Sequence, residues 1–272
     1  GLEAAVAAEP ATAAAGVATT DAAQPASAST VRAWRVVLEK IEQDLLDGAL
    51  APGDRLPSER ELSAQLGVGR SSVREALRVL EVMGLIRTGT GSGPSSGAII
   101  IATPQGGMSA LLRLQVAAHG FPLDDVVRTR LVLEAAVVGE LAAAGSQSDA
   151  ELHGARAIVD AMDAADLTPG EFLALDAQLH LALAEASGNV VIAAMMAGLR
   201  TSIESYVQAG AAGITDWDST AERLRHEHRA ILGAIDSHDQ ALARALIHHH
   251  ISGYYAEAGL ARDASTVVVR DV

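Results

Sequence analysis

The sequence predicts a mainly α protein in two parts. The N-terminal third reads as a helix-turn-helix followed by a small two-stranded β element, and the remainder as an antiparallel all-helical bundle. Three observations carry this. Between Leu56 and Leu85, two short runs with helical spacing of apolar residues are separated by Gly67-Val68-Gly69. The period then changes: Leu85–Thr88 and Ala98–Ala102, the latter holding three consecutive isoleucines, flank the Gly- and Ser-rich GTGSGPSSG. Beyond residue 107, apolar residues keep three- and four-residue spacing almost to the end, broken only by short stop signals.

Composition narrows the function classes. A chain of 272 residues suits two domains. Apolar residues make up 49%, enough for a real core, but aromatics are 3%, so Ala, Leu, Val and Ile must do the packing. The absence of cysteine removes disulfides, thiolate catalysis and sulfur-ligated zinc, and agrees with a cytoplasmic location. No run of about 18 uncharged apolar residues occurs, so no membrane span is expected. The net charge is −14, but it is unevenly placed. Residues 31–87 hold nine basic and nine acidic side chains, whereas residues 88–272 hold eleven and twenty-two. Nucleic-acid binding needs a local basic face rather than a basic total.

Taken in order, residues 1–30 contain thirteen alanines, no basic side chain and little periodicity, and read as a disordered tail. Trp34, Leu38, Ile41 and Leu45 predict a helix over about 31–47, closed by Gly48. Ala51-Pro52-Gly53-Asp54 is a turn, and Arg55-Leu56 a minimal edge strand. Ser58 with Glu61 forms a capping box for a helix whose apolar face is Leu62 and Leu66. After the glycine turn, a second helix is expected to start near Ser71 or Ser72, with Ser72 and Glu75 repeating the box and Val73, Leu77 and Leu80 facing inward. Arg70 and Arg74 then stand one helical turn apart on the outer face. Two helices joined this way are the geometry that sets a reading helix in the DNA major groove.

The run PGDRLPSERELSAQLGVGRSSVREALRVLEVMGLI, Pro52 to Ile86, resembles the winged-helix domain of GntR-type bacterial transcription regulators. The resemblance implies a winged helix-turn-helix over residues 31–102 with a small β wing, binding palindromic double-stranded operator DNA as a homodimer. Arg60, Arg70, Ser71, Ser72, Arg74 and Arg87 are the implied DNA-binding residues. Gly69 stands where that family usually has serine or threonine, which leaves Ser71 or Ser72 to supply a hydroxyl. The wing is longer and richer in Gly and Ser than the family's common form, so it is expected to meet phosphates through backbone N–H groups and Ser hydroxyls.

Thr103 to Gly107 is the expected hinge. Helices follow at about 108–118, 123–144, 148–165, 169–186, 189–208, 216–236 and 239–257, and their short connections imply antiparallel neighbours. Leu173 and Leu181, Val191, Met195 and Leu199, and Leu242 with Leu246 are among the apolar positions expected to face inward. Residues 258–272 read as a tail.

Within this bundle Asp176 and His180 are four apart, so both lie on one helix face and reach one ion. Their surroundings are apolar, a costly place for a carboxylate without a partner. His228 and one of His248, His249 and His250 complete an Asp and three His, a sound donor set for a borderline divalent ion such as zinc. Spacing leaves His249 and His250 both open, while His226 falls on another face.

The stretches Arg130 with Glu134, FLALDAQLHLALAEASGN (172–189), EHRAIL (227–232) and DQALARALIHHHI (239–251) are similar to the FadR subfamily of those regulators. The resemblance implies that residues 108–257 are an effector-binding and dimerisation domain with one divalent metal, expected to be zinc, on Asp176, His180, His228 and His250. It also sets Arg130 toward an effector carboxylate, with Glu134 beside it. A small carboxylate or hydroxy acid such as lactate is the expected effector, since the chain looks closest to lactate-responsive members. No general base or nucleophile stands free beside the ion, so an enzyme is not expected: Glu134 is better used as support, and Glu227, directly before His228, is expected to point elsewhere.

Overall fold

The computed structural model describes residues 25–89, 97–102, 104–145 and 151–260. Expectations about the chain before Pro25, the wing tip at 90–96 and the stretch after Leu260 lie outside the described residues. The chain divides into two compact units, one over residues 1–51 and 56–78, the other over 52–55 and 79–272.

The first unit is built on α1 (Pro25–Leu46), which starts six residues earlier than its apolar spacing predicts. Val37 and Ile41 are fully buried on it, with Trp34 and Leu38 half-buried. α2 (Glu59–Leu66) opens on the expected capping box: Ser58 Oγ accepts from the Glu61 N–H at 3.2 Å, and the Ser58 N–H donates to the Glu61 carboxylate at 2.8 Å. It stops on Gly67 in the left-handed region, φ 65°, where a side chain is disfavoured. α3 (Arg70–Val82) begins earlier than predicted. The Gly69 carbonyl accepts from the N–H groups of Ser72 and Val73, so Gly69 occupies the capping position. The expected Ser72–Glu75 box is therefore corrected: Ser72 already lies inside the first turn and is 7% exposed. Val73, Leu77 and Leu80 form the inward face as the pattern required, and Ala76 joins them.

In the second unit, β1 (Ile86–Gly89) pairs antiparallel with β2 (Gly97–Ile100), Ile86 opposite Ile100. Arg55 makes a single bridge to Ile99, and Gly53 N–H donates to the Ile100 carbonyl at 2.8 Å, so the predicted edge strand shrinks to one bridged residue. α4 (Pro104–Ala117) starts inside the expected hinge, whose Pro104 to Gly107 form its first turn. Proline is tolerated there because the first helical N–H groups have no partner within the helix.

The bundle continues with α5 (Leu123–Ala144), α6 (His153–Ala161), α7 (Pro169–Ala186), α8 (Val190–Ala211), α9 (Trp217–Asp236) and α10 (Gln240–Glu257). α5 packs on α7, α8, α9 and α10, and α4 covers α8. Thr168 with Glu171 caps α7, and Asn189, Asp216 and Asp239 cap the next three helices. α8 is long and apolar enough, by length and composition, to cross a membrane. Its apolar side is used by the core, where Met196, Leu199 and Ile203 are buried. Two inward faces are shifted from the sequence reading. On α8 it is Met196, not Met195, that is buried, and Val191 is exposed. On α10 the core residues are Ala243, Ile247, Ile251, Tyr254 and Tyr255, while Leu242 is 46% exposed.

Candidate metal centre and nucleic-acid face

Arg70, Ser71 and Arg74 are exposed at the start of α3, opposite its buried Val73 and Leu77. Arg60 is exposed on α2, and Arg87 is exposed on β1 in the other unit. Ser72 is the expected contact that the helix turns inward. Sequence reading missed two members of this face. Arg78 extends the stripe Arg70, Arg74 by one more turn, a signal its four-residue spacing carried. Glu59 accepts from Arg74 Nε and Nη2, at 3.3 and 3.0 Å. That hydrogen bond, with the charges of Arg74, Arg70 and Arg78, holds the Glu59 carboxyl below its ordinary range.

In the bundle, α7 brings Asp176 and His180 together on one face, α9 supplies His228 and α10 supplies His250. One donor atom from each lies within 4.8 Å of all the others. His228 Nε2 is 2.9 Å from Asp176 Oδ1 and 3.2 Å from His250 Nε2, which is itself 3.2 Å from His180 Nε2. Asp176 is also 3.5 Å from His250 Nε2 and 3.7 Å from His180 Nε2. With metal–ligand bonds of about 2.0–2.1 Å, neighbouring donors of a tetrahedral ion stand roughly 3.3 Å apart. The observed separations bracket that edge, so the residues fit such an ion.

The outer nitrogens support the same reading. His180 Nδ1 meets Glu134, and Glu134 in turn accepts from Arg130 Nε. His250 Nδ1 meets Glu227 at 2.8 Å, and Glu227 accepts from Arg223 Nη1 at 2.6 Å. With Nδ1–H donated outward, the Nε2 lone pairs of His180 and His250 face one small space, which a cation satisfies and a neutral cluster does not. A proton on His250 answers the same demand for positive charge, and an ion would have to displace it. Burial opposes a charge on His250, yet its hydrogen bonds to Asp176 and Glu227 push it up to about 9. Burial and the neighbouring His250 push His228 down to about 4. Among the described residues His228 Nδ1 is buried without a hydrogen-bond partner, and its ring is stacked on Phe172.

His250 is thus the histidine placed with the other three; His249 is exposed, its Nε2 3.9 Å from Glu227, and His226 is exposed. Glu227 corrects the sequence expectation: although adjacent to His228, it points at His250, because α9 presents neighbouring residues to different partners. Arg130 and Glu134 are both buried. Burial opposes the Arg130 charge, but Glu134 keeps it protonated; burial likewise opposes the Glu134 charge, while Arg130 and His180 hold that carboxyl down at about 2. Arg130 Nη1 also donates to the Tyr255 hydroxyl at 3.3 Å, a partner not read from sequence. Arg130, Asp176 and His180 border a cavity whose other wall is α8.

Residues 35–94 match the model of bacterial regulatory proteins, gntR family, and residues 125–253 match the FCD domain. The HTH-type transcriptional repressor NanR of Cronobacter sakazakii is 29% identical over 232 residues, 81% of this chain and 83% of that protein. NanR of Escherichia coli K12 is 29% identical over 234 residues, 81% of this chain and 82% of its own. Among solved structures, Streptococcus agalactiae GntR superposes with a TM-score of 0.53 at 25% identity, covering 84% of this chain and 99% of that one.

Proposed function

The chain belongs to the gntR family of bacterial regulatory proteins, in the FadR-like subfamily that joins a winged helix to an FCD domain, and from that premise we propose that it is a metal-dependent, ligand-responsive transcriptional repressor. It binds a palindromic operator as a homodimer in the cytoplasm and leaves it when a small carboxylate enters the bundle. Residues 31–102 are the DNA-binding domain and 108–257 the effector and dimerisation domain. The observation that carries the reading is the convergence of Asp176, His180, His228 and His250 beside a cavity. Zinc suits the one carboxylate and three imidazoles. The ion would crosslink three helices and supply positive potential at the cavity wall, to which Arg130, oriented by Glu134, adds. Arg60, Arg70, Ser71, Arg74 and Arg87 are the DNA contacts.

An enzyme has no support here: the similar proteins are transcription regulators, and Glu134 and Glu227 are each engaged by a histidine and an arginine. The test is operator binding by the full chain, followed by fluorescence anisotropy on its own promoter region. The zinc-loaded and chelator-treated forms are compared with and without a panel of small acids. Release by at least one acid from the loaded form alone is the expected result. Operator affinity indifferent to metal and to every acid would defeat the reading.

A further inference from the structure

The cavity beside Asp176 and His180 is walled on its far side by α8, which contributes Arg200, Ile203, Glu204, Val207 and Gln208. Three- and four-residue spacing puts these on one helix face. The centre of a water molecule can move through only ≈ 30 Å³ of it. The ligand is therefore small. Between its polar ends the wall is apolar, with Leu173, Met196 and Ile203.

Two guanidinium groups border this space, and their situations differ. Arg130 is engaged, with Nε on Glu134 and Nη1 on the Tyr255 hydroxyl. Arg200 makes no hydrogen bond or ion pair among the described residues, and its Nε is buried without an acceptor. Arg200 as a whole is half-buried, but leaving its buried Nε–H unmatched costs free energy, and the fork of a guanidinium matches the two oxygens of a carboxylate. Glu204, four residues on, is exposed and leaves that Nε unmatched.

Resting on the reading of the bundle as an effector domain, we propose that Arg200, rather than Arg130, binds the effector's carboxylate. The effector is then a small acid with a second oxygen-bearing group, held toward the Asp176 and His180 wall across a short apolar middle. Arg130 acts as a positioning residue for Glu134 and His180. An acid with a bare hydrocarbon tail would satisfy Arg200 but leave the opposite polar wall without a partner.

The experiment is calorimetric titration of the zinc-loaded full chain with acetate, lactate, glycolate and malonate, on the wild type, Arg200→Gln and Arg200→Lys, with metal content measured in parallel. Wild type is expected to bind at least one of the three two-group acids, and each of them that binds more tightly than acetate. Arg200→Gln should raise Kd by about 10–100-fold, with Arg200→Lys recovering part of the loss through its charge. Wild-type affinity in Arg200→Gln overturns the assignment and leaves the effector reading standing. Loss of metal from Arg200→Gln also overturns it, making Arg200 a support of the fold. Equal affinity for acetate overturns the second group. Absence of binding by all four acids to the wild type sinks both this inference and the effector reading for such acids.

Discussion

Arg74 enters the proposed DNA-binding face already paired, because Glu59 accepts from both its Nε and its Nη2. Both side chains are well exposed, so the pair adds little to stability. Its weight falls on binding, since Glu59 is a local negative charge among three arginines of the reading helix. Glu59→Gln should tighten binding to operator and scrambled DNA alike and steepen the dependence on salt. Arg74→Ala should weaken operator binding selectively, by about 1–3 kcal/mol, as loss of a base contact does. Anisotropy titrations on both DNAs at several salt concentrations measure this; an Arg74→Ala chain with unchanged operator affinity would refute it. A similar distinction separates two adjacent histidines. His250 Nε2 lies 3.2 Å from both His180 and His228, whereas the His249 side chain is 75% exposed. His250→Ala should lose the bound metal and His249→Ala keep it, as read by plasma emission on dialysed protein. The reverse pattern would move the site.

At the scale of elements, nearly every helix of the bundle was legible, and the losses have identifiable causes. Thr168 with Glu171, Asn189, Asp216 and Asp239 are local stop-and-start chemistry, so the boundaries of α7 to α10 follow from the residues themselves. Which face of a helix is inward depends on its neighbours. Leu242 looked like core by spacing and is 46% exposed, because α10 turns Ala243, Ile247 and His250 toward α5 and α9. The four-residue step from Asp176 to His180 was readable for the same local reason, whereas Glu227 and Tyr255 were not, since their partners lie on other helices. Gly107 shows the opposite failure, a glycine read as freedom and used for contact. A Cβ there would stand 2.6 Å from the Met83 Cα and backbone oxygen, atoms that cannot swing aside. Glycine to alanine inside a helix ordinarily stabilises by about 1 kcal/mol. Here Gly107→Ala should instead destabilise, by about 1–3 kcal/mol, as overpacking does. Thermal and urea unfolding give the sign directly, and a stabilised variant would show that α4 does not rest on the end of α3.

For the molecule as a whole, charge and assembly are linked. The stretch 31–87 is electrically neutral overall, and residues 88–272 carry a net −11. An acidic bundle is repelled by DNA, so one reading head per chain holds on weakly, and pairing two heads on one palindrome restores affinity through high effective concentration. The proposed dimer contact is then expected from the part with surface to spare. α4 exposes Leu111 and Leu114, and α5 exposes Val132, whereas most apolar residues of the bundle are already in its core. Exposed apolar side chains of this kind mark candidate association surfaces. The expected outcome is that the full chain and a fragment of residues 104–272 both sediment as dimers at micromolar concentration, with a fragment of residues 25–102 monomeric. The intact dimer should bind the operator much more tightly than the head alone, with a steep loss on raising salt. A monomeric bundle fragment that keeps the helical content of the full chain would place dimerisation in the head, and the acidic domain would then have no part in holding the two reading helices at the spacing of the palindrome.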